Sequence, residues 1–520
     1  MVEKHKNKKE IAAVIKISSD VVYLCIAETK ENGIKILEYL EHPFSIAQDA
    51  YTSGKIGAEK VEKVCAILNN YRKLIQEYGI TKVKTYATTA FREVANASFI
   101  IDQIKTRTHL DTIVLDDCEE KTYIYKQMMD QMEQSPQIIN SNVFMAYIGS
   151  GSLGIAVYSK GNILFSQNIR IGTMKLLEIL GDLKNDQQHF YTVIQEYLSS
   201  FKHAIKKMLP IDHFDYFIAC GKEIQAVAQI CKAKENDGLW FFSKEAFTTL
   251  SEELKFKSPK QIGKLFPIPE IRTQFMLPFM GIYQMLLEII QVESIGVVPS
   301  GLLESLLFEM LHQKEALKRA KKFDAHTILY AKNLGRRFFY EEEHAIKVEE
   351  YAVAIFDATK KIHHLSHRHR FLLQIAALLH DIGKYIHLKY HALHSYQIIR
   401  DSEILGLSTK ELMIVANLAR FHTHIVNDFY QTDFGGLTKE DGVILSKLLA
   451  ILRIADALDR SHEQKGTKIE VRLKKDTVKI FLHTSSQIFL EKWIFDKKSD
   501  FFSEVFGLPI LLKRGDSHES

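Results

Sequence analysis

The stretch NVFMAYIGSGSLGIAVYSKGNILFSQNIRIG, residues 142–172, contains three apolar runs parted by a Gly-Ser-Gly-Ser turn and a Lys-Gly turn. Short apolar runs closed by such turns read as a meander of three antiparallel strands. The N-terminus opens in the same way. AAVIKI (12–17), VVYLCIAE (21–28) and KILEYLEHPF (35–44) predict three strands, the last two joined by Lys30, Glu31, Asn32 and Gly33. A helix over 58–79 follows, with apolar residues three and four apart and a stop at Gly79. Then come a strand at 82–88, a helix at 97–108, a strand at 112–117 and a helix at 119–132. A meander that opens two successive runs of alternating strands and helices predicts two similar α/β halves with a cleft between them.

In that architecture the first tight turn of each half faces the cleft. The turns are Ser18-Ser19 and Gly149-Ser150-Gly151-Ser152. Small residues let backbone N–H groups approach phosphate oxygens, and serine hydroxyls add donors. The same residues also make ordinary hairpin turns.

The second half reads differently. The stretches 326–338, 343–360, 369–379, 389–401, 409–420 and 443–460 all have helical spacing, and the basic stretch 312–323 reads as the connection to them. LLHDIGKYIHLKYHALH (378–394) sets His380 beside Asp381 after an apolar run, with His387, His391 and His394 close by and His422 further on. His344 lies about one long helix upstream, and Asp456 lies downstream in RIADALDRSH. Imidazoles and carboxylates projecting from facing helices can hold one divalent ion, or two that share a carboxylate. The same groups can also form a buried polar network. The His, His-Asp and distant Asp arrangement resembles the HD-domain superfamily of metal-dependent phosphohydrolases. That resemblance implies metal ligation by His344, His380, Asp381 and Asp456, with manganese, iron or zinc as the ion, and a phosphate contact from Lys384.

Composition sets the bounds. A chain of 520 residues predicts about three domains. With 46% apolar and 25% charged residues it reads as an ordinary globular protein. A net charge of +4 gives no pull toward nucleic acid or a membrane surface. The five cysteines form no CxxC pattern, which predicts reduced thiols and a cytoplasmic location. No run has signal-peptide or membrane-spanning character. The expected boundaries are 1–131 and 132–311 for the α/β halves, 312–466 for the helical domain and 467–520 for a small strand and helix tail.

Further segments sharpen the resemblance. YATTAFREVANASFI (86–100), CEEKTYIY (118–125), IRIGTMKLLE (169–178), FIACGKEIQAVA (217–228) and GVVPSGLLESLLFEM (296–310) are similar to the signature segments of the exopolyphosphatase/guanosine pentaphosphatase (Ppx/GppA) family. The resemblance spans nearly the whole chain. It implies an α/β plus all-α protein: two actin/hexokinase-like (ribonuclease H-like) α/β domains, then a helical HD-like domain and the tail. It implies Glu120 as the carboxylate that orients the attacking water. Phosphate would be held by Arg92, Ser18, Ser19, Gly149, Ser150, Gly151 and Ser152, and magnesium in the interlobe cleft if that cleft is active. Inorganic polyphosphate or a guanosine alarmone would be the partner, and a homodimer through the helical domain is compatible with it.

The chain departs from the family pattern where the magnesium carboxylates would stand. Lys16, Tyr147 and Gly154 take their places, and Pro299-Ser300-Gly301 has lost an acid as well. Three readings follow. The expected one is a phosphoanhydride hydrolase working through Glu120 with degenerate loops. The alternatives are a metal-dependent phosphohydrolase at the HD site and a non-catalytic binder of polyphosphate or alarmone.

Overall fold

The computed structural model describes residues 9–515 apart from 32, 47–48, 50–52, 181–188, 267, 269 and 424–433. The Lys30–Gly33 turn falls partly outside these residues. The chain forms two compact units, residues 1–323 and 324–520.

The first unit contains two mixed sheets. Strands β1 (Ile11–Ile17), β2 (Val21–Lys30), β3 (Gly33–Pro43), β4 (Lys82–Ala87) and β5 (Thr112–Val114) lie in the order β3-β2-β1-β4-β5. β3, β2 and β1 run antiparallel, while β4 and β5 continue parallel to β1. The second sheet is built from β6 (Asn142–Ile148), β7 (Leu153–Ser159), β8 (Asn162–Ile169), β9 (Tyr216–Cys220), β10 (Lys234–Asn236), β11 (Leu239–Ser243) and β12 (Ser294–Val298). Read from one edge its order is β8-β7-β6-β9-β12-β11-β10. The first five strands repeat the first sheet in order and direction. The hairpin β10–β11 is an addition with no counterpart in the first sheet.

Burial explains why the repeat is visible in the sequence. β1 and β6 are the hinges of their sheets, paired on both sides, and their apolar runs are almost wholly buried. Central strands of this kind read as continuous apolar stretches. Each sheet has its own core, one around Ile15, Leu24 and Leu68, the other around Phe144, Phe217 and Tyr283. The helix Ala58–Glu77 ends as Gly79 adopts a left-handed φ of 65°, which a glycine takes without a Cβ clash.

The second unit is mainly helical. Its helices Glu342–Ala358, His367–Leu379, His391–Asp401, Thr409–Phe421 and Lys439–Ala457 are followed by a small sheet and the helix Phe489–Phe506. In that sheet β13 (Lys468–Leu473) pairs antiparallel with β14 (Val478–His483), and β14 pairs parallel with β15 (Ile510–Gly515). Residues 313–323 of the basic stretch open the helix Gln313–Arg337, within which the chain passes from one unit to the other. Among the described residues no helix is long and apolar enough to cross a membrane, and the five cysteines form no disulfide.

Candidate functional sites

Two clusters of polar side chains are buried, one in each unit. In the first unit a pocket of about 100 Å³ lies between the two sheets, lined by Lys16, Ser18, Asp20, Glu120, Tyr147, Gly149 and Ser150 among others. Ser19 and Ser150 bring the two predicted turns together, Oγ to Oγ at 3.4 Å. The Gly149–Ser152 turn is locked from behind by Gly172, where a Cβ would meet Ser152 N at 2.3 Å and Ser150 O at 2.4 Å. Gly151 and Ser152 do not line the pocket.

Glu119 and Glu120 separate in role. Glu119 closes a capping box with Asp116 at the start of the helix Asp117–Met132, which satisfies two otherwise orphaned amides. Glu120 turns inward and is 7% exposed. Its Oε2 accepts from Arg92 Nη1 at 3.0 Å, and Tyr147 OH lies 3.4 Å from its Oε1. Arg92 does not line the pocket. Its guanidinium is committed to Glu120, Asp117, Thr89 Oγ1 and the Leu115 carbonyl.

The other acids of the pocket are committed too. Asp20 lies 3.3 Å from Arg272 Nε, and Glu223 accepts from the same guanidinium. Glu304 is 3.9 Å from Lys222. Lys16 reaches over the Tyr23 ring, its Nζ 4.5 Å from the centroid, and burial pushes its ammonium below the usual lysine range. Gly154 faces Tyr125 OH at 2.9 Å from its would-be Cβ, so there is no room there for a carboxylate side chain. A magnesium ion needs several uncommitted oxygens. These acids do not offer them, and none of the potential metal-ligand groups among the described residues falls in this unit.

The second unit has the opposite character. His380 and His422 each follow the last residue of a helix, His367–Leu379 and Thr409–Phe421, and Asp456 lies in the last turn of Lys439–Ala457. Three helix C-termini therefore end at the cluster, and their partial negative charge favours a cation there. His344, from the helix Glu342–Ala358, completes the set; it is 1% exposed, and His380, His422 and Asp456 are fully buried.

Each imidazole is oriented by its Nδ1. His380 donates to the Ala377 carbonyl and His422 to the Ala419 carbonyl, both at 2.7 Å, and His344 to Asp459 Oδ2 at 2.9 Å. Such outer bonds fix the tautomer and leave Nε2 as the inward lone pair. Nε2 of His344, His380 and His422, Oδ1 of Asp381 and Oδ1 of Asp456 are buried and make no hydrogen bond. Burying polar atoms without partners is costly, and overlapping groups of these residues have ligand atoms close enough to share a cation.

The spacing agrees. Asp456 Oδ1 lies 3.6 Å from His344 Nε2 and 3.7 Å from His380 Nε2; Asp381 Oδ2 lies 3.8 and 3.6 Å from the same two nitrogens. The other oxygen, Asp381 Oδ1, faces His422 Nε2 at 3.2 Å and His391 Nε2 at 3.3 Å. Donors about 2.1 Å from a shared ion at tetrahedral angles lie about 3.4 Å apart.

Electrostatics point the same way. Burial alone would raise Asp381, but His380, His422 and Lys384 hold it well below the usual carboxylate range; Lys498 and the imidazoles do the same for Asp456. Burial pushes His422 down to about 4, so its ring is neutral at ordinary pH. Burial disfavours a charged His344, yet Asp456 and Asp459 raise it to about 9; without an ion this ring therefore carries a proton on Nε2, the charge a bound cation would replace. At the rim, Lys384 Nζ reaches Asp381 Oδ2 at 2.7 Å and Glu341 at 3.2 Å. Glu341 also holds His462, whose ring stacks on His344 at 3.6 Å.

The structure thus brings His344, His380, Asp381 and Asp456 together, and Glu120, Ser18, Gly149 and Ser150 to one pocket, which Ser19 touches through Ser150 without lining it. His422 and His391 were visible in the sequence only as nearby imidazoles; Asp459, His462 and Lys498 carried no signal.

Comparison with known proteins places the chain. The family model described as "Ppx/GppA phosphatase family" matches residues 25–314, and "Ppx/GppA phosphatase, domain III" matches 329–497. The chain belongs to the Ppx/GppA phosphatase family. It is 21% identical over 463 residues to the guanosine-5'-triphosphate,3'-diphosphate pyrophosphatase of Pseudoalteromonas translucida (strain TAC 125), covering 86% of this chain and 87% of the relative. Among solved structures, the Aquifex aeolicus family member is 22% identical (60% of this chain, 99% of that one, TM-score 0.49). An exopolyphosphatase from Cytophaga hutchinsonii is 20% identical (58% and 98%, TM-score 0.49). This Ppx/GppA chain has paired mixed sheets in its first unit and a mainly helical second unit, with a buried polar cluster in each.

Proposed function

We propose that the chain is a divalent-metal-dependent phosphohydrolase whose working centre lies in the helical unit, acting on inorganic polyphosphate or a guanosine pentaphosphate-like alarmone. One observation carries this reading: the five buried, unpartnered nitrogen and oxygen atoms of His344, His380, Asp381, His422 and Asp456. These residues would hold manganese, iron or zinc, with His391 beside Asp381 at the edge of the cluster. A bound ion supplies an acidified water and neutralises phosphate charge. The chain's own residues do the rest. Lys384, one turn from His380, offers its ammonium to a phosphate oxygen. Glu341 holds His462 with its second ring nitrogen available as a proton acceptor.

A second reading rests on Glu120. It is buried, faces the pocket of the first unit, and has Ser18, Gly149 and Ser150 across from it. A hydrolase there would have Lys16 in place of a metal ion.

The test is phosphate release from polyphosphate and from guanosine pentaphosphate by the wild type, Asp381→Ala and Glu120→Ala. Loss in Asp381→Ala with activity kept in Glu120→Ala is the expected result. Loss only in Glu120→Ala moves the chemistry to the first unit. Binding without release by the wild type makes the chain a sensor of these polyanions.

A further inference from the structure

We propose that Lys498 is a positioning residue for the centre of the helical unit, and that the small C-terminal sheet and its helix are part of that centre. This rests on the reading that a divalent ion binds there.

Asp456 has two oxygens with different surroundings. Oδ1 faces His344 and His380 and makes no hydrogen bond. Oδ2 accepts from Lys498 Nζ. The carboxylate is fully buried and Lys498 is 8% exposed, so the pair is removed from water. Arg460 approaches the same oxygen only to 4.0 Å.

Burying an ammonium is expensive, and a pair of this kind is replaced by apolar side chains at little cost when its purpose is stability alone. Here it does something an apolar pair cannot. With Oδ2 pinned, the carboxylate is fixed in rotation and presents one oxygen to the imidazoles. Without Lys498 the carboxylate is free to turn, and its charge is buried with less compensation. A carboxylate that holds a metal is ordinarily fixed by such an outer partner.

Lys498 stands on the helix Phe489–Phe506, which packs against Lys439–Ala457 and follows β13 and β14. The domain III family model ends at residue 497, one short of it. The stretch beyond 466, which the sequence suggests as a separate tail, thus supplies the outer partner of a ligand on the helical core.

The experiment uses the full chain with Mn²⁺ and Co²⁺ as probes. Wild type, Lys498→Met, Lys498→Gln, Lys498→Arg and Phe495→Ala are compared for ion affinity by calorimetry, for the visible spectrum of the Co²⁺ form, and for melting temperature. Removing the ammonium is expected to weaken Mn²⁺ binding about 10- to 100-fold and to change the Co²⁺ bands, with Lys498→Arg recovering most of both. Phe495 is fully buried on the same helix, so Phe495→Ala lowers the melting temperature without moving affinity or spectrum. Should Lys498→Met fail to fold, Lys498→Gln makes the same comparison. Wild-type affinity and spectrum in a folded Met or Gln variant overturns the proposal. A wild type that takes up neither ion overturns the reading beneath it.

Discussion

His363 uses both ring nitrogens while 1% exposed: Nδ1 accepts from the Leu365 amide and Nε2 donates to the Phe356 carbonyl, each at 2.8 Å. Only the neutral ring can do both, and burial lowers its pKa below the ordinary histidine value. The folded state therefore binds this proton less readily than the unfolded state. The associated stability is complete above the ordinary histidine pKa of about 6.5 and is lost as pH falls through and below it. Denaturant midpoints between about pH 7 and pH 5 should fall less steeply in His363→Gln than in wild type; parallel slopes would count against this account. Arg92 makes a second case at this scale. Arg92→Met leaves Glu120 buried beside Tyr147 without its cation, which should cost about 3 kcal/mol by urea melts. Arg92→Met/Glu120→Leu should recover much of that loss, because the unpaired charge goes with it.

At the scale of the elements, the helical centre depends on a close backbone approach. A Cβ on Gly383 would meet the His391 carbonyl oxygen at 2.2 Å and the Ser395 amide at 2.3 Å, and the Gly383 amide donates to Ser395 Oγ. The turn Ile382–Tyr385 can pack on the helix His391–Asp401 only with glycine there. Gly383→Ala should destabilise by about 2–3 kcal/mol and separate Asp381 from His391, lowering bound manganese by elemental analysis. A variant with wild-type metal content and melting temperature would refute this. The elements also differ in how far the sequence discloses them. The meanders were legible because glycine and serine turns interrupt apolar runs on central strands. The hairpin β10–β11 was not, since three- and five-residue strands carry too little periodicity to register. His344, His380, Asp381 and Asp456 were legible from adjacency and helical context. Asp459 and His462 stand three and six residues after Asp456 but carry no motif of their own, and Lys498 reaches the centre only through tertiary packing, which spacing along the chain cannot express.

For the molecule as a whole, two compact units, with separate cores in the first, predict more than one cooperative melting event. Manganese at 100 times its Kd adds about 2.7 kcal/mol to whatever unit binds it. Scanning calorimetry should show one transition moving up with manganese and returning with chelator while another stays in place. A shift of the Glu120-containing unit instead would place the ion in the first unit. Arg272 has a consequence for that unit's traffic. Its buried guanidinium clasps Asp20 from one sheet's first turn and Glu223 from the other sheet's helix Lys222–Ile230. Any parting of the two sheets must first tear two carboxylates from one cation. Any guest of the inner chamber would consequently arrive and depart at the tempo of that clasp, and because the clasp is buried, added salt would change the tempo little.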